Sequence, residues 1–450
     1  MNIDEKITEL SHSITTLENK KAEVISSVVT TGLDNTISTK ETCITWAPRI
    51  PAHWNVMPNK YIMRKIKNIC AVHNGEDIIS LSMNGVIVRD LDAGGKMPTT
   101  FDGYQFVYPG NLLMCLFDYD VTPRCIGFIK NYGITSPAYS QFEMLNGNIA
   151  EYYYYYYLMV DNTKELLHLA KNLRHSFSEE EFGRIFAIVP PIEEQIAIAE
   201  YLTKKCAEID DVIADIKAQI ETLQKMKQSV VSEVMTRGLV TDVELRDSGI
   251  EWIGLIPAHW QILKVKDGFF IKKSKALQED PVVLSLARSG VKIRDISTNE
   301  GQLAASYYEY NPVAVDDLLI NPMDLQSGAN CSISKVEGVI SPAYVNLRYK
   351  EGFNPQFFDY YFKLQYWSFA FFSYGKGVSF DNRWTLNTDT LMRYPIIVPP
   401  IEEQIAIAEY LTKKCAEIDD VIADKEEQLD VLESYKKSLI YEIVTGKRGV

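Results

Sequence analysis

Seven cysteines (Cys43, Cys70, Cys115, Cys125, Cys206, Cys331 and Cys415) and six histidines are the residues of this 450-residue chain that are suited to soft-metal binding or thiolate chemistry. Their spacing argues against both. No CxxC pair occurs and no histidine group stands beside the cysteines, whereas zinc ligands arrive in close pairs. Reduced, mostly buried thiols are the expected state. No GxGxxG follows a strand-like run, and no phosphate-binding GxxxxGK[ST] occurs. The nearest approach to a methyl-transfer motif, Asn321-Pro322-Met323-Asp324, lacks the second proline and the aromatic. No carboxylate pair followed by lysine stands in a strand context that would suit nuclease chemistry. The chain is expected to perform no covalent chemistry.

What it carries instead is a repeat. IVPPIEEQIAIAEYLTKKCAEIDDVIAD occupies 188–215 and, without one substitution, 397–424. Shorter echoes extend the duplication: IPAHW at 50–54 and 256–260, SPAY at 136–139 and 341–344, Arg89-Asp90 and Arg294-Asp295. The offsets stay between 205 and 209 residues, so a whole unit is duplicated nearly in register.

The identical segment predicts a helix. Two prolines set the chain's entry, Glu193 and Glu194 suit the first turn, and no further proline occurs until Pro257. From Ile209 a heptad seam runs through Ile213, Ile216, Ile220, Leu223, Val230 and Val234 to a stop at Gly238. The second copy runs through Ile418, Ile422, Leu429, Leu432, Leu439 and Ile443 to Gly446. A third, shorter copy opens the chain with Ile7, Leu10, Ile14, Leu17, Val24 and Val28, ending in TTGL where the central copy has TRGL. Each seam is interrupted by a lysine at the same place: Lys21, Lys227 and Lys436. Such a group either fixes register and pairing or snorkels at the seam's edge. At the usual rise the central helix would span roughly 65 to 70 Å.

Between the helices, 42–187 and 250–396 hold short apolar and aromatic runs broken by Gly, Pro, Asn and Asp, a pattern of strands and turns. Each region then reaches an aromatic helical stretch, EYYYYYYLMVD or PQFFDYYFKLQYW. Six successive tyrosines invite base stacking. Their alignment with Phe357, Phe358, Tyr360, Tyr361 and Phe362 favours a core-facing helix.

The net charge of -14 has to be divided by region before it can exclude a polyanionic ligand. Residues 42–187 hold 13 Lys and Arg against 14 Asp and Glu, and 250–396 hold 15 of each. The helices and their flanks therefore carry nearly all of the acidity, and each globular region is free to present a basic face. No apolar run approaches the roughly 18 to 20 residues of a membrane span, and the opening MNIDEKITEL lacks a signal-peptide core. A cytoplasmic protein without membrane contact is expected.

These residues resemble one family closely, the DNA-specificity (S, or HsdS) subunits of type I restriction-modification systems. The likeness lies in GIEWIGLIPAHW opening a unit at 249–260, SPAY late in it, and PPIEEQIAIAEYL running into a long heptad helix at its end, with IPAHW, SPAY and PPIEEQIAIAEYL occurring twice. The resemblance implies an α+β fold with a pseudo-twofold internal repeat, in which two mixed α/β target-recognition domains are separated by long antiparallel coiled-coil helices. It divides the chain into an N-terminal half-helix (1–41), a first recognition domain (42–187), a central spacer helix (188–240), a second recognition domain (241–396) and a C-terminal spacer helix (397–450). Each domain would read one half of a bipartite site in double-stranded DNA. The helices would set the spacing and dock two methyltransferase (M) subunits, alongside restriction/translocase (R) subunits. No cofactor is expected in this chain, and S-adenosylmethionine, ATP and Mg would belong to the partners. Glu193, Glu194 and Gln195, with Glu402, Glu403 and Gln404, and the seam residues Lys21, Lys227 and Lys436 are the expected docking and spacing residues.

Side chains apt for base edges or phosphates stand in turn-rich stretches. They are Lys96, Arg124, Lys130 and Arg174 in the first unit, and Arg288, Lys292, Gln326, Asn330, Lys376, Asn382 and Arg383 in the second. The alternatives are a coiled-coil scaffold whose units bind proteins, and a single-chain restriction-modification enzyme, against which the missing motifs argue. Residues 1–33 depart from the family pattern, and the expectation is that they pack on the two long helices as a local third strand. GKGVSFDNRW (375–384) has only a weak counterpart, AKNLRHSF (170–177), in the first unit.

Overall fold

The computed structural model describes residues 38–91, 98–170, 175–296, 304, 306–323, 325, 331–377 and 384–449. The leading heptad segment, with Lys21 and its expected third-strand packing, lies outside them. The chain divides into two compact units. One comprises the described part of Met1–Lys217 together with Glu426–Val450, and the other is Ala218–Lys425. The division cuts through the two long helices rather than falling at their ends. The physical reason is antiparallel pairing, which packs the first half of one helix against the last half of the other.

The first unit is built on a four-stranded antiparallel sheet in the order Ile126–Phe128, Leu112–Met114, Ser140–Met144, Met63–Ile66. The unit also contains the hairpin Ile79–Ser82/Gly85–Val88, a small sheet of Gly133–Thr135, Gln105–Val107 and Asn68–Ile69, and the strand pair Thr39–Glu41/Arg49–Pro51. Helix α1 (Ala150–Asn162) carries the tyrosine run. Tyr152, Tyr153, Tyr155, Tyr156 and Tyr157 are buried. Their hydroxyls are bonded as well: Tyr152 donates to the Val444 carbonyl at 3.2 Å, Tyr153 to the Ile188 carbonyl at 3.2 Å, Tyr155 to Thr203 at 3.3 Å and Tyr157 to Asn59, while Tyr156 accepts from Trp46 at 3.0 Å. A buried phenol needs such a partner. The run is thus the centre of a core that also takes in Trp46, Trp54, Phe182, Ile198, Leu202, Ile440 and Ile443, and base stacking is excluded for it.

Identical sequence does not start the long helix at once. Phe186–Val189 is a strand paired with Asn55–Pro58, so the first residues of the repeated segment belong to the sheet. The prolines then end the strand, the Gln195 amide bonds to the Pro191 carbonyl at 2.9 Å, and α2 runs from Ile192 to Arg237.

The second unit repeats the plan. Its four-stranded sheet has the order Phe269–Ile271, Val345–Tyr349, Leu318–Ile320, Cys331–Ile333, which is the same topology read from the other end. A hairpin (Leu284–Ala287/Gly290–Ile293) stands where the first unit has Ile79–Val88. Helix α3 (Pro355–Trp367) buries Phe357, Phe358, Tyr361 and Phe362. Gln261–Lys264 pairs with Pro395–Val398 before α4 begins at Ile401 and runs to Val444. Inside the second unit Lys227 of α2 meets Asp419 of α4, and Gln219 meets Lys425. One partner number rises as the other falls, so the pairing is antiparallel.

Interiors have diverged while topology has not. In the second unit the fully buried Asp317 accepts from Lys272 at 2.7 Å and Arg348 at 3.0 Å, and from Asn346 at 3.2 Å. In the first unit two neutral amides, Asn111 and Gln141, take the corresponding places, bonded at 3.2 Å. Among the described residues no helix is long and apolar enough to cross a membrane, and no cluster of three or more His, Cys, Asp or Glu is placed to hold a metal ion.

Candidate nucleic-acid interface

Two repeated motifs that stand far apart in sequence meet at the start of each long helix. Glu194 accepts from the Trp54 indole at 2.8 Å with Oε2 and bonds His53 Nε2 at 2.7 Å with Oε1. Glu403 does the same with Trp260 at 2.9 Å and His259 at 2.7 Å. The neighbouring glutamines are fully buried. Gln195 accepts from the Ile149 amide at 2.9 Å and donates to the Pro190 carbonyl at 2.9 Å. Gln404 accepts from the Asn354 amide at 2.8 Å and donates to the Pro399 carbonyl at 2.8 Å. The EEQ triplet is therefore a latch that fixes α2 or α4 to the unit it leaves.

This placement changes the reading of the expected docking residues. Gln195 and Gln404 have no surface to offer, because a buried amide bonded on both sides is a structural joint. Glu194 and Glu403 are half-exposed but engaged, while Glu193 and Glu402 remain exposed on the first helical turn. The pairing of IPAHW with PPIEEQ escaped the sequence reading. Its signal was present: both motifs recur in both copies, and tryptophan and glutamate stand 140 residues apart in one and 143 in the other.

The seam lysines act through carboxylates on the facing helix. Lys436 reaches Asp210 at 2.5 Å within the first unit, and Lys227 reaches Asp419 at 2.5 Å within the second. Each ammonium is mostly covered and each carboxylate about half exposed. The pairs are equivalent, so the lysine is a pairing device at the seam's edge. Beside them the copies differ: Ile216 of α2 corresponds to Lys425 of α4, which is fully buried and donates to Gln219 at 2.5 Å. Burial holds the Lys425 pKa below its usual value.

The expected DNA-contacting residues fall into three groups. Arg288 is exposed in the tight turn of the second unit's hairpin, and Lys292 is exposed on the strand that follows it. Lys130 is exposed just after the strand Ile126–Phe128. Lys376 is exposed and forms an antiparallel bridge with Thr385. Arg124 is different. It donates to the Met83 carbonyl at 2.5 Å and the Tyr154 hydroxyl at 2.8 Å, and so braces the first unit's hairpin against α1. Lys96, Arg174, Gln326, Asn330, Asn382 and Arg383 lie outside the described residues.

The fold resembles that of a solved chain from a type I R-M system. That chain aligns over 89% of this one and 99% of its own length, with a TM-score of 0.63 at 11% identity. An HsdS subunit from Thermoanaerobacter tengcongensis aligns over 89% of this chain and 98% of its own at a TM-score of 0.44 and 12% identity. No protein-family model matches the chain. In sequence it is 25% identical over 284 residues to the type I restriction enzyme MjaVIII specificity subunit of Methanocaldococcus jannaschii, covering 59% of this chain and 63% of that protein. It is 26% identical over 264 residues to the putative MjaX specificity subunit of the same organism, covering 58% of each. The matches span less than two thirds of the length of these curated relatives. The curated relatives that this chain matches are thus type I restriction enzyme specificity subunits, and its fold is that of a solved chain from a type I R-M system.

Proposed function

We propose that the chain is the sequence-reading, non-catalytic subunit of a type I restriction-modification complex. Each unit contacts one half of a bipartite DNA site, and α2 and α4 set the separation of the half-sites. The single observation that carries this reading is the duplication itself. Two units of one topology have different surfaces and interiors, yet each ends in the same latch and the same 28 residues. A device that reads two different half-sites while presenting two equal partners with equal docking elements needs that combination.

Two methyltransferase subunits would dock at the two identical segments, where Glu193 and Glu402 are exposed, with restriction subunits joining the assembly. S-adenosylmethionine, ATP and Mg would be used by those partners. Methyl transfer and cleavage would lie outside this chain. The hairpin turn at Arg288, with Lys292 and Lys376, supplies exposed cations for phosphates, as Lys130 does in the first unit.

The test is co-expression with the neighbouring methyltransferase subunit, followed by genome-wide mapping of methylated adenines. A single bipartite motif whose two halves change independently when the units are exchanged is the expected result. Methylation by the purified chain unaided would revive the single-chain enzyme. Assembly with proteins but salt-insensitive or absent DNA binding would favour the scaffold reading, because phosphate contacts release counterions.

A further inference from the structure

Each unit contains a seat for the last half of a long helix. In the second unit the occupant is the segment that leads directly into that unit: Ala218–Arg237 of α2, with Lys227 on Asp419 and Gly238 against Trp260, where an added Cβ would lie 3.2 Å from the ring. In the first unit the occupant comes from the far end of the chain. Residues 426–444 of α4 place Lys436 on Asp210, the Val444 carbonyl on Tyr152, and Gly446 against Pro51 and Trp54.

The first unit also has a leading segment of its own. Ile7, Ile14, Leu17, Lys21, Val24, Val28 and Gly32 match Ile213, Ile220, Leu223, Lys227, Val230, Val234 and Gly238, every one at an offset of 206. Gly32 precedes Trp54 by the same 22 residues that separate Gly238 from Trp260. The chain therefore holds two segments with the pattern for one seat.

The present occupant fits that seat imperfectly. Gln428 Oε1 is buried and has no hydrogen-bond partner among the described residues. Its counterpart Gln219 is satisfied by Lys425, but the first unit has Ile216 where Lys425 would stand. The leading segment carries Ser13 at the position of Gln428, which removes the orphaned amide. Its exit, TTGL at 30–33, also follows TRGL at 236–239 more closely than does the exit of α4, where the glycine arrives one residue earlier in the repeat.

We propose that residues 7–32 are an alternative occupant of the first unit's seat and exchange within one chain with residues 426–444. With the leading segment seated, Lys21 takes the place of Lys436 at Asp210, and Leu429, Leu432, Leu439 and Ile443 of α4 are released. The inference does not depend on what the units bind.

Disulfide trapping in the full chain, in a Cys206→Ser background, tests it. Asp210→Cys with Lys436→Cys reports the distal occupant, and Asp210→Cys with Lys21→Cys reports the leading one. Both pairs are expected to form intrachain disulfides on mild oxidation. The 21–210 yield is expected to rise several-fold when Leu439→Asp and Ile443→Asp weaken the distal occupant. Absence of the 21–210 disulfide in both backgrounds, or its formation only between chains, overturns the proposal. If the doubly substituted chain does not fold, the 21–210 pair in the chain that retains Leu439 and Ile443 decides. Deleting residues 1–33 supplies a second measurement. Its effect on melting temperature is expected to be much larger with Leu439→Asp and Ile443→Asp than without them, and equal losses would mean an added third strand instead.

Discussion

Trp54 and Glu194 stand 140 residues apart, yet the indole of one donates to the carboxylate of the other at 2.8 Å, and Trp260 and Glu403 repeat the bond at 2.9 Å. The relationship ties the opening of each unit to the helix that leaves it. Chain entry and chain exit are thereby closed into one joint, on which the direction of the long helix depends.

Glu194→Ala and Glu403→Ala are expected to cost about 1–2 kcal/mol each, a charge-assisted bond discounted for partial exposure. Gln195→Ala should cost more, about 2–3 kcal/mol, since it orphans buried backbone groups. Urea unfolding followed by tryptophan fluorescence measures both. The two glutamate effects should add within about 0.5 kcal/mol, because the joints share no residue.

Asp210→Lys places two ammonium groups together at the seam and should lower stability by about 1 kcal/mol, less at high salt. Lys436→Asp added to it should restore most of the loss. A double variant no better than the single would show that the pair contributes nothing to pairing.

Lys425→Ile removes a buried ammonium but leaves Gln219 Oε1 without its donor, as Gln428 Oε1 is left opposite Ile216, so the two effects should offset to within about 1 kcal/mol at neutral pH. Burial lowers the folded-state pKa of Lys425 from 10.5. The unfolded chain therefore binds more protons between the lowered value and 10.5, and native stability from this group rises with pH across that window. The stability of Lys425→Ile relative to the unsubstituted chain should accordingly be highest at neutral pH and fall as pH approaches 10.5. A constant difference from pH 7 to 10.5 would contradict the assignment.

Of seven free thiols only Cys43 is exposed. Burial pushes Cys206 up to about 11 and raises Cys415 as well, so both stay as unreactive thiols. Native protein should titrate one fast cysteine with a thiol reagent and all seven after denaturation. A second fast thiol in the native protein would signal opening of a core.

Arg288→Ala and Lys292→Ala should weaken duplex binding with little change in sequence preference, and each should reduce the salt-dependence slope by about 1 if it contacts a phosphate. Filter or fluorescence binding across a salt series gives that slope directly.

The tyrosine run shows how much was readable beforehand. Its alignment with phenylalanines pointed to a core helix, and α1 buries the run with its hydroxyls bonded. The seam lysines were readable as interruptions, but not the carboxylates that receive them. Arg124 looked like any exposed cation in a turn, because its partners Met83 and Tyr154 are 41 and 30 residues away. The same blindness hid the EEQ latch, since the residues that bury Gln195 come from other elements.

Residue order by itself established the duplication, the heptad helices, the buried aromatic helices and the absence of cofactor motifs, because each is a local or periodic property. Tertiary structure decided what meets what. A seam states which face of a helix is apolar without naming the helix that covers it, and here three seams share one pattern. Only packing assigns residues 426–444 to Asp210 and 218–237 to Asp419, and only packing turns Trp54 and Glu194 into a joint, since contacts between distant segments are chosen by shape and charge that no single stretch contains.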